Sequence, residues 1–304
     1  MRSFETSTIN TGVKAPERPI KATEQMRLLQ EDLRSQAEKV NLLVEKEYGI
    51  KKLLDEHGAI RPEGYGEEGL FSKEELDRDA ATVDNRELAF MGEISASRRE
   101  FYIKQYGVED SDKGMRKAYR QQVAERPSTM IEMAAVALLS KKLGKGFLVV
   151  QTAKYDDYVN GVDTLIIDRN TGKVVGAFDE VHADEEHMRR VEEKEAKIQR
   201  IAEKGGERIK YGLKLQDGKL TRESLKDVPV FYIALDTDDL NRIVEGLARP
   251  GTVQTKDIFE KIRLSLMAQC DELTLHAKNS TFIDELSAFK TSLVGLKKEK
   301  RGDV

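Results

Sequence analysis

The apolar positions of the chain fall into three regimes. From Ala22 onward, Met26, Leu29, Leu33, Gln36, Val40, Leu43, Glu47, Ile50 and Leu54 follow alternating steps of three and four, the spacing of a heptad seam on a helix. This predicts either a coiled-coil arm that pairs two copies or an amphipathic helix laid on its own domain. The polar seam positions Gln36 and Glu47, and the nearby Gly49, weigh toward the second. Residues 57–70, rich in Gly and containing Pro62, break the pattern. Charged helical stretches follow at 73–105 and 113–124, with a turn region at 107–112.

The second regime begins after Pro127. Met130, Ile131, Ala134, Ala135, Leu138 and Leu139 share one helical face, and Gly144 and Gly146 stop the helix. Three strands are expected next, at 147–151, 161–168 and 173–181. The last two are joined by Arg169, Asn170, Thr171 and Gly172, a turn sequence with Gly where a left-handed residue is needed. Residues 182–203 read as a long charged helix ended by Gly205 and Gly206. An irregular stretch with a small turn at Asp217 and Gly218 leads to the strongest strand signal in the chain, 228–235. Asp236 then caps a helix running to about Leu247, with Asp238 and Asp239 in its first turn. In the third regime, 255–298, Ile258, Ile262, Leu266, Leu273, Ile283, Leu286, Leu293 and Leu296 supply the apolar positions of a helical region. It ends in a basic cluster at 297–301, which reads chiefly as a solvated helix end.

The expected architecture is α+β. A tail at 1–21 is read as disordered, 22–127 as a charged helical arm, 128–248 as an α-β-β-β-α-β core, and 249–304 as C-terminal helices. Composition agrees with extended helical parts. Of 304 residues 39% are hydrophobic, 35% are charged and none is Trp, so a single core filling the whole length would lack large apolar side chains. One cysteine, Cys270, excludes an internal disulfide and fits a reducing, cytoplasmic setting. No run approaches the ~20 apolar residues that span a bilayer, and no signal peptide is recognised, so no membrane partner is expected. The net charge of −4 carries no global footprint of a nucleic-acid binder. Homo-oligomerisation through the N-terminal helix is the partner its seam suggests.

Candidate chemistry concentrates in the hairpin. Asp163 interrupts an apolar strand, and Asp179 and Glu180 end the next, although carboxylates are disfavoured in strands. If Asp168 pairs with Lys173, Asp163 stands opposite Phe178 and shares a face with Glu180 and His182; a one-residue shift brings Asp179 to that face instead. Either register places two carboxylates close together, and such a pair calls for a cation between them. Oxygen ligands suit Mg²⁺ or Mn²⁺. Glu132 follows Thr129 by three residues, so it serves either a capping box or the site. The run Tyr155, Asp156, Asp157, Tyr158 reads as a polar loop able to line the same cleft. His182 and His187, five apart, are poorly spaced for zinc. Walker, Rossmann and nucleophile-elbow patterns are absent.

The element order and these acids resemble the PD-(D/E)XK nuclease-like superfamily over roughly 128–247. That resemblance implies a restriction-endonuclease-like core and metal-dependent hydrolysis of phosphodiester bonds in nucleic acid. It implies a site of Glu132, Asp163 and either Asp179 or Glu180, with metal ligands drawn from Asp163, Asp179 and Glu180. The family's lysine, two positions after the strand acid, is replaced here by Val181 or His182. Either His182 takes its role, or a lysine has moved to the following helix, where Lys194 and Lys197 are candidates. The remaining alternative is a catalytically degenerate nuclease fold that serves as a binding or assembly module.

Overall fold

The computed structural model describes residues 20–169, 172, 174–184, 188–250 and 255–299. The expected tail lies outside these except for Ile20 and Lys21, as do Asn170, Thr171, Lys173 and His187 and the side chains of the basic cluster 297–301. The helices before the sheet are α1 (Ala22–Tyr48), α2 (Glu63–Glu67), α3 (Lys73–Met91), α4 (Ala96–Tyr106), α5 (Asp112–Ala124) and α6 (Pro127–Leu143). Then come β1 (Phe147–Gln151), α7 (Lys154–Asn160), β2 (Thr164–Asp168), β3 (Val174–His182) and α8 (Met188–Lys204). The chain continues through β4 (Glu207–Gln216), β5 (Lys219–Val228), β6 (Val230–Leu235), α9 (Thr237–Ala248), α10 (Lys256–His276) and α11 (Ser280–Glu299).

The fold is mixed α+β. A four-stranded sheet has the order β1-β2-β3-β6, antiparallel except for the parallel pair β3–β6, and β4 and β5 form a separate two-stranded sheet. The parallel pair requires a crossover, which α8 and the β4–β5 hairpin supply. Sheet and surrounding helices share one core, in which Phe178 of β3, Phe231 of β6 and Phe289 of α11 pack in tilted and edge-to-face contacts with ring centroids 4.8–6.0 Å apart. No helix among the described residues is long and apolar enough to cross a membrane.

Helix α1 is shorter than its seam suggested. Gly49 adopts the left-handed conformation (φ 72°) and closes the helix with its N–H on Glu45, so Ile50, Leu53 and Leu54 enter the core from extended chain. The buried positions Met26, Leu29, Leu33, Ala37 and Val44 lie on the side where α1 packs against α6 and α9 of the same chain, and Gln25 donates to Asn241 of α9 at 2.7 Å. The expected stretch 73–105 is two helices, broken after Gly92. With α5 they enclose a second, smaller core around Tyr102, Met115, Ala118 and Tyr119.

Three differences from expectation bear on the site. Residues 154–160 form α7 rather than a loop. The stretch expected to be irregular after Gly206 is the hairpin β4–β5, turning at Asp217 and Gly218 as anticipated. The β2–β3 register slips within the ladder: Ile167 pairs with Val174, but Ile166 pairs with Gly176, leaving Val175 as an extra residue. Beyond this bulge Thr164, not Asp163, stands opposite Phe178. Asp163 lies one residue before β2 and is still tied to β3, donating its N–H to Phe178 at 2.8 Å.

Candidate functional site

Helix α6 opens with Pro127 at its first position, where the missing N–H costs nothing. This start places Thr129 inside the first turn, where its hydroxyl donates to Val123 at 2.9 Å, and no capping box forms. Glu132 is therefore free of the capping role and turns to the end of β3. It lines an open cleft with Glu180, His182, Lys194, Lys197 and Arg200, and Ser128 lies at the amino end of α6.

The bulge in β3 gives successive residues different neighbours. Asp179, only 2% exposed, receives two ammonium groups from α8. Lys194 bonds one of its oxygens directly, and Lys197 reaches the other at 2.7 Å. The three-residue spacing of these lysines puts both on one side of the helix. Lys197 also donates to the Gly161 carbonyl at 2.6 Å. Gly161 is left-handed (φ 63°), and a Cβ there would collide with the Lys197 ammonium. Glu180, 5% exposed, donates its N–H to Asp163 Oδ2 at 3.2 Å. Among the described residues neither carboxylate oxygen of Glu180 makes a hydrogen bond of acceptable geometry, although Thr164 and Asp163 lie near enough to favour its charged form and offset part of the upward push of burial.

Asp157 of α7 completes the cluster. Adjacent residues on that helix take different tasks. Asp156 accepts from the backbone N–H groups of Lys210 and Tyr211 at 2.7 and 2.9 Å and pins β4, while Asp157 interacts with Asp163. Nothing in the run of two aspartates separates these roles until the segment is known to be helical.

Burial together with mutual repulsion makes Glu132, Asp157, Asp163 and Glu180 weak acids. Burial first, then the charges of Asp157 and Asp179, push the Glu132 carboxyl up to about 8. Glu180 is raised to about 8, again mainly by burial and then by Glu132. Burial raises Asp157 to about 6 against the opposing bond to Asp163. Asp163 is held well above the carboxylate range by burial and by Glu180 and Asp179. Burial works to lower the Lys194 ammonium, but Asp179 outweighs it and the net shift is upward.

The donors are all oxygens, and the buried, unbonded carboxylate of Glu180 is the kind of group a hard divalent cation satisfies. Among the described residues, no three His, Cys, Asp or Glu side chains already stand close enough together to hold a metal ion. His182 borders the cleft, but its Nε2 lies 2.8 Å from Asp184 and 3.2 Å from the Thr237 hydroxyl at the start of α9. Its imidazole is thus engaged away from Asp179, where the lysines of α8 stand instead. Comparison with protein-family models, curated proteins and solved structures returned no match.

Proposed function

We propose that this chain is a metal-dependent nuclease-like protein that hydrolyses phosphodiester bonds of nucleic acid, with a core resembling the PD-(D/E)XK superfamily. The observation that carries the reading is the double lysine contact to Asp179 beside Glu180, Asp163 and Glu132. The expected motif lysine is supplied from α8 rather than from β3. The strand order β1-β2-β3-β6 and the α6-β1-β2-β3-α8-β6 succession, with α7 and the β4–β5 hairpin as insertions, support the same reading.

Asp163, Asp179 and Glu180 would hold Mg²⁺ or Mn²⁺, with Glu132 as an auxiliary acid. When bound, such an ion acts as a Lewis acid on a phosphoryl oxygen and acidifies water. The chain's own groups do the rest. Lys194 places an ammonium beside the acids, where it orients the attacking water and offsets negative charge growing on the phosphoryl group. Lys197 ties Asp179 to the Gly161 carbonyl and holds the carboxylate toward α8. Glu132, pushed up to about 8, exchanges a proton near neutral pH and can deliver it to the departing oxygen as the phosphorus–oxygen bond breaks.

A second reading is a degenerate nuclease fold that binds or assembles without cutting. It is favoured by the absence of a ready three-acid metal group among the described residues and by the closure of Asp179 by two cations. Incubating labelled single- and double-stranded DNA and RNA with Mg²⁺ or Mn²⁺ separates the two. Cleavage that disappears in Asp163→Asn supports the nuclease. Intact substrates, with no metal-induced rise in melting temperature, leave the binding module.

A further inference from the structure

Beyond the acids, the cleft contains a cation that the fold does not use. Arg200 sits on α8 one turn after Lys197, is exposed at the cleft, and makes no hydrogen bond or ion pair among the described residues. Its neighbours on the helix are engaged: Lys194 and Lys197 hold Asp179, and Arg189 holds Glu193 at 3.1 Å. Across the cleft, the amino end of α6 has no side-chain cap at Arg126, and Ser128 offers a hydroxyl from the first turn. A 17-residue helix carries partial positive charge at that end. The floor between them includes Glu180, 5% exposed with both oxygens unbonded, which marks the cleft as a place for a ligand rather than a closed ion-pair network.

We propose that Arg200, Ser128 and the amino end of α6 form a phosphate-binding rim that seats the nucleic-acid backbone over the acidic cluster. This rests on the nuclease-like reading and names the group that receives the substrate. The guanidinium fork matches two phosphate oxygens, and the Ser128 hydroxyl adds a third donor. The carboxylates beneath would repel an anion lying directly on them, so an unpaired arginine at the rim supplies the compensating charge.

The test is binding without turnover. A fluorescent oligonucleotide, single-stranded or duplex, is titrated with full-length protein without added metal and followed by anisotropy at several salt concentrations. Arg200→Ala should weaken binding about 10-fold, as expected for a lost charged hydrogen bond, and reduce the salt slope by about one. Arg189→Ala on the same helix, 88% exposed, should change it less than about two-fold. Arg200 is a surface side chain, and circular dichroism is the check that its variant folds. The proposal is overturned if the wild type binds no oligonucleotide, if Arg200→Ala binds as tightly as wild type, or if both arginine variants lose equally. It is also overturned if inorganic phosphate displaces the probe as effectively as unlabelled oligonucleotide, since the rim would then be a site for small anions. Arg200-dependent binding without cleavage supports the rim and retires the catalytic reading alone. Cleavage that persists in Arg200→Ala with unchanged KM retires the rim alone.

Discussion

Glu180 and Glu132 sit in an environment far from what a carboxylate prefers. Both carboxyls are raised to about 8, so each binds its proton more tightly in the folded chain than in the unfolded one. Their favourable contribution to stability is complete below the ordinary carboxylate range, about pH 4–4.5, and is lost as pH rises through about 8. The cation-free protein should therefore melt at progressively lower temperature between about pH 5 and pH 8. The rise in melting temperature produced by Mg²⁺ should be larger at the upper end, where the ion displaces fewer protons. Differential scanning calorimetry at matched ionic strength measures both, and an equal Mg²⁺ effect across the range would contradict them. Glu180→Gln should raise the melting temperature by roughly 2–4 °C near pH 8, equivalent to about 1 kcal/mol in a chain of this size. Near pH 5, where Glu180 is already neutral, the same change should do little.

Lys194 and Lys197 share a partner and differ in task. Lys194→Ala should reduce cleavage by about 100-fold or more, the usual scale for a positioned proton-transfer or charge-stabilising group. Lys197→Ala should act through the placement of Asp179. Single-turnover rates at saturating metal distinguish the pair. If Lys194→Ala cleaves as fast as wild type, the account of a lysine displaced to α8 fails.

At the scale of elements, α1 belongs to the core. Leu29 is fully buried, so Leu29→Ala should cost about 2–5 kcal/mol. Leu42, 69% exposed on the same helix, should tolerate alanine within about 0.5 kcal/mol. Chemical denaturation reads both. The heptad spacing made α1 legible in the sequence; its covering by α6 and α9 was not, because a seam for a second copy and a seam for one's own domain share a period. Strands β1, β2, β3 and β6 were legible as short apolar runs. In β4 the alternation Ile209, Tyr211, Leu213 and Leu215 was present, but charged residues between them lowered its apolar content and it read as irregular chain. The β3 bulge was hidden because loop register fixes only the pairs nearest the turn, and Val175 shifts every pair beyond it.

At the scale of the molecule, the site is assembled from five separated segments: the start of α6, α7, the residue before β2, the end of β3, and the middle of α8. The hairpin acids could be chosen from sequence because carboxylates in an apolar strand conflict with strand chemistry. Asp157 and Arg200 gave no such conflict, since charge on a helix is ordinary, and only packing brings Asp157 to Asp163 and Arg200 to the cleft. Two lysines on one acid, an unbonded glutamate and an arginine without a partner among the described residues are the features on which the proposed nuclease reading rests. The most direct test is cleavage of a labelled oligonucleotide in Mn²⁺ by wild type, Asp163→Asn and Lys194→Ala, with folding checked by circular dichroism. The account predicts products from wild type alone. Equal cleavage by all three folded proteins, or none by any under conditions where wild type binds both metal and oligonucleotide, would contradict it.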